Sequence, residues 1–118
     1  MTRSLLIVDD HPSFRATARA VLEAEGFHVV GEAKDGREAV QLAAKLHPEV
    51  VLLDVQLPDS TGFEVAAELA RSNGTGTLVV LVSSRDAVDY GELIAGSGAC
   101  GFVPKGELSG AAVRALLP

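Results

Sequence analysis

The amino-acid sequence predicts an α/β domain in which helices cover both faces of a parallel five-stranded β-sheet. Short apolar runs alternate with longer amphipathic stretches along the whole chain of 118 residues. This alternation is typical of strand-helix-strand units, which place successive strands parallel to one another. The run at residues 50–53 is apolar at every position, as expected for a strand buried on both faces. Together these observations predict a doubly wound sheet.

The predicted strands are short runs rich in valine, leucine and isoleucine, and turn residues bound most of them. They cover residues 5–8, 27–33, 50–53, 77–82 and 101–103. Alternation alone does not fix the strand order, but the flavodoxin-like order 2-1-3-4-5 is common for a domain of this size. In that order, ligands bind at the carboxyl ends of strands one and three, where the direction of winding reverses.

The predicted helices carry apolar side chains at helical spacing and end at glycine or proline. They cover residues 12–25, 37–46, 62 to the turn at 73–76, 86–94, and a short last helix that runs to residue 117. Ser109 is suited to cap the last helix. The fourth helix is expected to be short and mobile, because Gly91, Gly96 and Gly98 lie in it or just beyond it.

Composition and charge limit the classes of function. A chain of 118 residues with 47% hydrophobic and 22% charged residues is typical of one globular domain, so we expect residues 1–118 to form a single domain. Cys100 is the only cysteine, which excludes an intrachain disulfide. A net charge of −6 without a basic cluster argues against direct nucleic-acid binding. No apolar run is long enough to cross a membrane, and we expect a cytoplasmic protein.

Four predicted strands end in ionisable or hydroxyl side chains. Asp9 and Asp10 follow the first strand, Asp54 the third, Ser83 the fourth and Lys105 the fifth. Because the carboxyl ends of parallel strands meet at one edge of the sheet, we expect these groups to form a cleft. Three carboxylates in one cleft repel one another, and a single lysine cannot neutralise them.

A divalent cation together with the lysine would balance this charge. Carboxylate oxygens without a thiolate cluster suit Mg²⁺, and of the two adjacent aspartates one would ligate the ion directly and the other through water. A carboxylate beside Mg²⁺, a lysine and a hydroxyl can accept a phosphoryl group, and Asp54 is the candidate nucleophile. We expect His11 to be a surface residue at a helix start and Asp59 to be a turn residue, not further ligands.

Four motifs, in this order and spacing, resemble the receiver domain of bacterial two-component response regulators. They are Val-Asp-Asp-His-Pro at 8–12, Leu-Leu-Asp-Val-Gln-Leu-Pro at 52–58, Leu-Val-Ser-Ser-Arg-Asp at 81–86 and Gly-Phe-Val-Pro-Lys at 101–105. The resemblance covers essentially the whole chain. The Asp-His-Pro-Ser-Phe-Arg segment at 10–15 is similar to the branch whose receivers usually precede a helix-turn-helix DNA-binding domain.

The resemblance implies a role for each residue of the cleft. Asp54 would be the phosphoacceptor, and Asp10, Asp54 and the backbone carbonyl of Gln56 would ligate Mg²⁺. Asp9 would support the metal, and Lys105 would pair with the phosphoryl group. The family is regulatory, so the resemblance implies a phosphoacceptor domain that assists its own phosphorylation and dephosphorylation, not an enzyme with a separate substrate.

The resemblance also implies a conformational switch made of Ser83 and Phe102. Phosphorylation of Asp54 would draw the Ser83 hydroxyl toward the phosphoryl group, and Phe102 would turn inward. Phe102 has no hydroxyl, so packing alone would govern its rotation. Gly106 stands where many relatives have proline, and a cis bond before it would cost about 3 kcal/mol.

The implied partner is a histidine kinase or histidine phosphotransfer protein. DNA would be bound only through an output domain, which we do not expect within residues 1–118. A homodimer would use the face formed by the fourth helix, the fifth strand and the last helix. The alternative within the family is a degenerate receiver that acts without phosphorylation. Two other classes fit less well: hydrolases with an aspartate nucleophile separate their two aspartates by one residue, and a flavin phosphate would be repelled by Asp9 and Asp10.

Overall fold

The computed structural model describes residues 2–72 and 76–118. Within these residues one sheet contains five strands, β1 (Ser4–Val8), β2 (His28–Ala33), β3 (Val50–Asp54), β4 (Leu78–Ser83) and β5 (Gly101–Pro104). All neighbouring strands are parallel, and their order is β2-β1-β3-β4-β5. The predicted doubly wound fold and strand order are therefore confirmed. Each strand end lies within one residue of its prediction.

The helices of the described residues are α1 (Pro12–Ala24), α2 (Gly36–Leu46), α3 (Gly62–Ser72), α4 (Glu92–Gly96) and α5 (Gly110–Leu116). Ser109 caps α5 as predicted, because its hydroxyl accepts a hydrogen bond from the backbone N–H of Ala112 at 3.0 Å. The predicted turn at residues 73–76 lies, except for its last residue, outside the described residues. None of the helices in the described ranges is long and apolar enough to span a bilayer.

The fourth helix differs from its prediction. The sequence predicts one helix over residues 86–94, but the structure has a single 3₁₀ turn at Ala87–Asp89, and α4 begins only at Glu92. Gly91 separates the two with a φ of 53° and a ψ of −125°, a conformation that lies outside the helical region. The helix is short, as expected, and its mobility stays a prediction.

Alternate residues of the central strands face opposite layers of helices. Leu6 and Val51 pack on the face covered by α2 and α3, whereas Leu5 and Leu52 pack on the face covered by α1 and α5. All five residues of β3 are buried. Because both faces of the sheet are filled with apolar side chains, the carboxyl-terminal edge of the strands is where polar groups can collect.

Gly62 lets α3 start directly against the end of β3. Its backbone N–H donates to the carbonyl of Val55 at 2.7 Å. A Cβ at this position would overlap the backbone carbonyl oxygen of Asp54. Glycine is therefore required for this close approach, which fixes the strand end that carries Asp54.

Candidate functional site

Two buried carboxylates lie side by side at the carboxyl-terminal edge of the sheet. Asp9 follows β1 and is fully buried, and Asp54 ends the neighbouring strand β3 and is 3% exposed. Asp10 lies closer to solvent. Oxygens of these three aspartates and a ring nitrogen of His11 lie within 4.8 Å of one another. The structure thus brings together the acidic residues that the sequence placed at this edge.

Lys105 extends from the turn after β5 into the same cluster. Its ammonium nitrogen lies 2.6 Å from Asp9 Oδ2 and donates a hydrogen bond to Asp54 Oδ2 at 3.1 Å. It also lies 4.6 Å from the centre of the Phe14 ring, a cation–π contact. Burial lowers the pKa of Lys105, but the adjacent carboxylates of Asp9 and Asp54 outweigh burial and hold the pKa above its usual value. Lys105 is therefore a fixed positive charge between two buried acids.

Burial raises the pKa of Asp54, and the negative charge of Asp9 raises it further. The backbone N–H of Gln56, which donates to Asp54 Oδ1 at 3.1 Å, opposes this shift, and so does Lys105. The ionised form of Asp54 is thus only partly compensated by the protein itself. Additional positive charge at the site would favour the carboxylate.

The donor set fits a hard divalent cation. Asp9 Oδ2 is fully buried and lies 2.6 Å from the Lys105 ammonium, so this oxygen is already paired with one positive charge inside the cluster. Asp10 is partly accessible and can reach an ion from the solvent side. Three carboxylates and one ammonium leave an excess of negative charge, which a divalent ion would offset, and oxygen ligands suit Mg²⁺.

A cleft of about 290 Å³ opens over Asp54. Its lining combines acidic, basic and small polar side chains: Asp10, His11, Asp54, Gln56, Leu57, Pro58, Ser84 and Lys105. An anionic group placed there would have the Lys105 ammonium beside it and the Asp54 carboxylate at its floor. The exposed Ser84, next in sequence to Ser83, is part of this lining.

Ser83 does not line the cleft. It is 1% exposed, and its hydroxyl lies 2.6 Å from the hydroxyl of Tyr90 and accepts a hydrogen bond from the Arg85 N–H at 3.1 Å. The Tyr90 ring contacts the ring of Phe63 at a centroid distance of 5.6 Å and the ring of Phe102 at 5.8 Å. Tyr90 therefore contacts both residues of the predicted switch, Ser83 through its hydroxyl and Phe102 through its ring.

Sequence reasoning did not identify Tyr90. The predicted helix over residues 86–94 gave no reason to orient any one of its side chains toward Ser83. The one available signal was composition, since Tyr90 is the single tyrosine of the chain and lies seven residues after Ser83.

His11 and Asp59 occupy positions close to those expected. His11 immediately precedes α1 with its side chain 63% exposed, but its Nδ1 also lies 3.0 Å from Asp9 Oδ1 and 3.2 Å from Asp10 Oδ1. Asp59 accepts hydrogen bonds from the backbone N–H groups of Gly36 and Arg37. These bonds hold the pKa of Asp59 below its usual value and tie the loop after β3 to the start of α2.

The peptide bond after Lys105 has the ordinary geometry. No peptide bond in the described parts of the chain is cis, so the bond between Lys105 and Gly106 is trans.

Comparison with known families gives the class of the protein. The family described as the response regulator receiver domain matches residues 5–115. The chain therefore belongs to this family, and it is a regulatory domain of the phosphoacceptor type rather than a conventional enzyme.

Curated relatives of the chain are described as transcriptional regulators. The chain is 40% identical over 103 residues to a putative transcriptional regulator of Pseudomonas aeruginosa, with 87% of this chain and 49% of the relative covered. It is 36% identical over 107 residues to the virulence factors putative positive transcription regulator BvgA of Bordetella pertussis, with coverages of 91% and 51%. The chain thus spans about half the length of the curated relatives it matches.

Solved structures of response regulators have the same fold as this chain. The signal receiver domain of the putative response regulator NarL from Mycobacterium tuberculosis superposes with a TM-score of 0.85 at 33% identity, covering 98% of this chain and 96% of that one. A LuxR-family two-component response regulator from Aurantimonas superposes with a TM-score of 0.87 at 28% identity, with coverages of 98% and 86%.

Proposed function

We propose that Asp54 accepts a phosphoryl group from a histidine kinase or a histidine phosphotransfer protein. The observation that carries this proposal is the position of the Asp54 carboxylate, which lies at the floor of an open cleft and is bonded to Lys105 at 3.1 Å. Burying a carboxylate lowers the stability of the fold unless other groups compensate its charge, so a buried carboxylate is more often found at a functional site. The position of Asp54 at the end of a central strand suits a ligand site.

In the proposed reaction an Asp54 oxygen attacks the phosphorus of a phosphohistidine. The new P–O bond forms as the P–N bond breaks, and the imidazole of the donor leaves with the electron pair. Lys105 lies where it can pair with a phosphoryl oxygen, and the N–H of Gln56 holds the second Asp54 oxygen in place. These residues would assist both phosphorylation and the later attack of water, without a separate catalytic base from this chain.

Magnesium is the proposed cofactor. Asp10, Asp54 and the backbone carbonyl of Gln56 would hold the ion, and Asp9, whose carboxylate belongs to the same cluster, would support it. When bound, Mg²⁺ would offset negative charge on the phosphoryl oxygens.

We further propose that Ser83 and Phe102 convert phosphorylation into a change of surface. The Ser83 hydroxyl would leave its present partners and donate to a phosphoryl oxygen, and Phe102 would move into the vacated space. A hydrogen bond to a charged group contributes about 1.5–3 kcal/mol, enough to shift a two-state equilibrium about 10- to 150-fold.

We propose that the protein acts in the cytoplasm and that its signal controls transcription. The relatives are described as transcriptional regulators and are about twice as long as this chain, which leaves room for a DNA-binding output domain. A homodimer would form through α4, β5 and α5. The exposed Val88 and Leu93, at 84% and 59%, lie just before and within α4 and support an interaction surface there.

Intact mass spectrometry tests this function. After incubation with Mg²⁺ and acetyl phosphate, the wild-type chain should gain the mass of one phosphoryl group, and Asp54→Ala should not. Asp86→Asn is the matched control, because this exposed aspartate lies outside the cleft and should leave the adduct unchanged. An unmodified wild-type chain would favour the alternative, a receiver that acts without phosphorylation.

A further inference from the structure

The hydroxyl of Ser83 makes its hydrogen bonds outside the cleft over Asp54, although we propose that it acts on a phosphoryl group there. Its closest polar neighbour is the Tyr90 hydroxyl at 2.6 Å, and its other partner is the Arg85 N–H at 3.1 Å. Among the described residues, none of the hydrogen bonds of Ser83 is to Asp54 or Lys105. Ser83 lies on β4, whereas Tyr90 lies between the 3₁₀ turn and α4.

We propose that Tyr90 is a positioning residue that holds Ser83 in the unphosphorylated state. We call the hydrogen bond between the Ser83 and Tyr90 hydroxyls the Tyr90 latch. Phosphorylation opens the latch because the phosphoryl group takes over the Ser83 hydroxyl, which releases Tyr90 and the segment that precedes α4. This inference rests on the proposed phosphorylation of Asp54.

The direction of the Ser83 hydroxyl, and not the number of hydrogen bonds it can make, is the reason for the latch to open. A hydroxyl has one proton and two lone pairs, and the Arg85 N–H already uses one lone pair of Ser83. The Tyr90 contact directs Ser83 Oγ toward α4 and not toward the cleft. Donation to a group on Asp54 requires Oγ to rotate about the Cα–Cβ bond, which moves it away from the phenol.

The contacts of the Tyr90 ring show which residues would move when the latch opens. This ring contacts the rings of Phe63 and Phe102. Phe102 has no hydroxyl, so it cannot respond to Ser83 through a hydrogen bond. Tyr90 has a hydroxyl, which is hydrogen-bonded to Ser83, and its ring contacts Phe102. The latch therefore joins the state of β4 to the position of the α4 segment.

Tyrosine fluorescence tests the latch in the unmodified chain. The sequence has one tyrosine and no tryptophan, so the emission comes from Tyr90 alone. Adding beryllofluoride with Mg²⁺, as a mimic of the phosphoryl group, should shift this emission. Ser83→Ala should produce the same shift without the mimic, and the mimic should then add little. Unchanged Tyr90 emission at saturation, with binding followed independently by fluorine NMR, would overturn the latch.

A double-mutant cycle gives the magnitude. Tyr90→Phe keeps the ring contacts but removes the hydroxyl, so Ser83 is freer to turn, and beryllofluoride should bind about two- to tenfold more tightly. The same substitution in a Ser83→Ala background should leave the affinity unchanged. Equal effects in both backgrounds, or weaker binding by Tyr90→Phe, would overturn the latch while leaving the phosphoacceptor role intact. Failure of the wild-type chain to bind beryllofluoride would overturn both proposals.

Discussion

Replacing Asp54 by asparagine should stabilise the metal-free protein. The side chain is buried beside Asp9, and both burial and the charge of Asp9 raise the pKa of Asp54. Ionised Asp54 therefore costs folding free energy at neutral pH. Asparagine keeps the size and can still accept the hydrogen bond from the N–H of Gln56.

The size of the effect follows from the distances. Oxygens of Asp54 and Asp9 lie within 4.8 Å, and at an effective dielectric constant of 20 this repulsion is at least about 3 kcal/mol. Asp10 adds a smaller repulsion because water screens it. The attraction of Lys105 at 3.1 Å is about 5 kcal/mol on the same scale. The attraction exceeds the Asp9 repulsion by about 2 kcal/mol before the Asp10 repulsion is added. Burial is the largest cause of the raised pKa of Asp54 and outweighs this difference, so we expect a gain of about 1–2 kcal/mol in unfolding free energy.

Thermal unfolding in EDTA at pH 7 measures this gain. For 118 residues, about 4 °C corresponds to each kcal/mol, so the melting temperature should rise by about 4–8 °C. The gain should vanish below about pH 4, because Asp54 is then protonated in both the folded and the unfolded chain. The exposed Asp86→Asn should change stability by less than about 0.5 kcal/mol. A lower melting temperature for Asp54→Asn would refute the electrostatic reasoning.

Three further predictions concern the neighbours of the site. Lys105→Met should lower the free energy of unfolding by about 2–4 kcal/mol in EDTA, because it leaves two buried carboxylates unpaired; chemical denaturation measures this loss. The same substitution should abolish the acetyl phosphate adduct, which intact mass spectrometry checks. Ser83→Ala should still accept a phosphoryl group but should lose the change at α4, which hydrogen exchange would detect; an unchanged response at α4 would contradict the switch. The hydrogen bond from Arg19 lowers the pKa of Glu32, so the wild type should be more stable than Glu32→Gln at neutral pH and should lose this advantage as the pH falls below about 4; a constant difference in acid titrations would contradict it.

The fold follows from local patterns, which is why the sequence predicts it closely. Strand β3 is apolar at four successive positions and must be buried on both faces, and Gly62 marks the start of the helix that packs against its end. The predicted start of α4 is wrong. There the outcome depends on the backbone conformation of Gly91, which adopts a positive φ that no side-chain pattern specifies.

The candidate site is predictable where topology alone brings residues together. Asp9, Asp54 and Lys105 each follow a strand of the same parallel sheet, so the topology places them at one edge. The direction of the Ser83 hydroxyl cannot be predicted in this way, because its rotamer depends on side chains from other segments of the chain. Tyr90 has such a side chain: it reaches the Ser83 hydroxyl because the chain leaves the helical conformation at Gly91 and α4 begins only at Glu92.

Location of the phosphorylated residue tests the central claim most directly. The wild-type chain would be incubated with Mg²⁺ and acetyl phosphate, and the acyl phosphate would then be reduced with borohydride, which converts the modified aspartate into homoserine. Tandem mass spectrometry of the peptides identifies the position. We predict homoserine at position 54 alone. Homoserine at position 9 or 10, or no conversion in a chain that carries the adduct, would contradict the assignment of Asp54 as the phosphoacceptor.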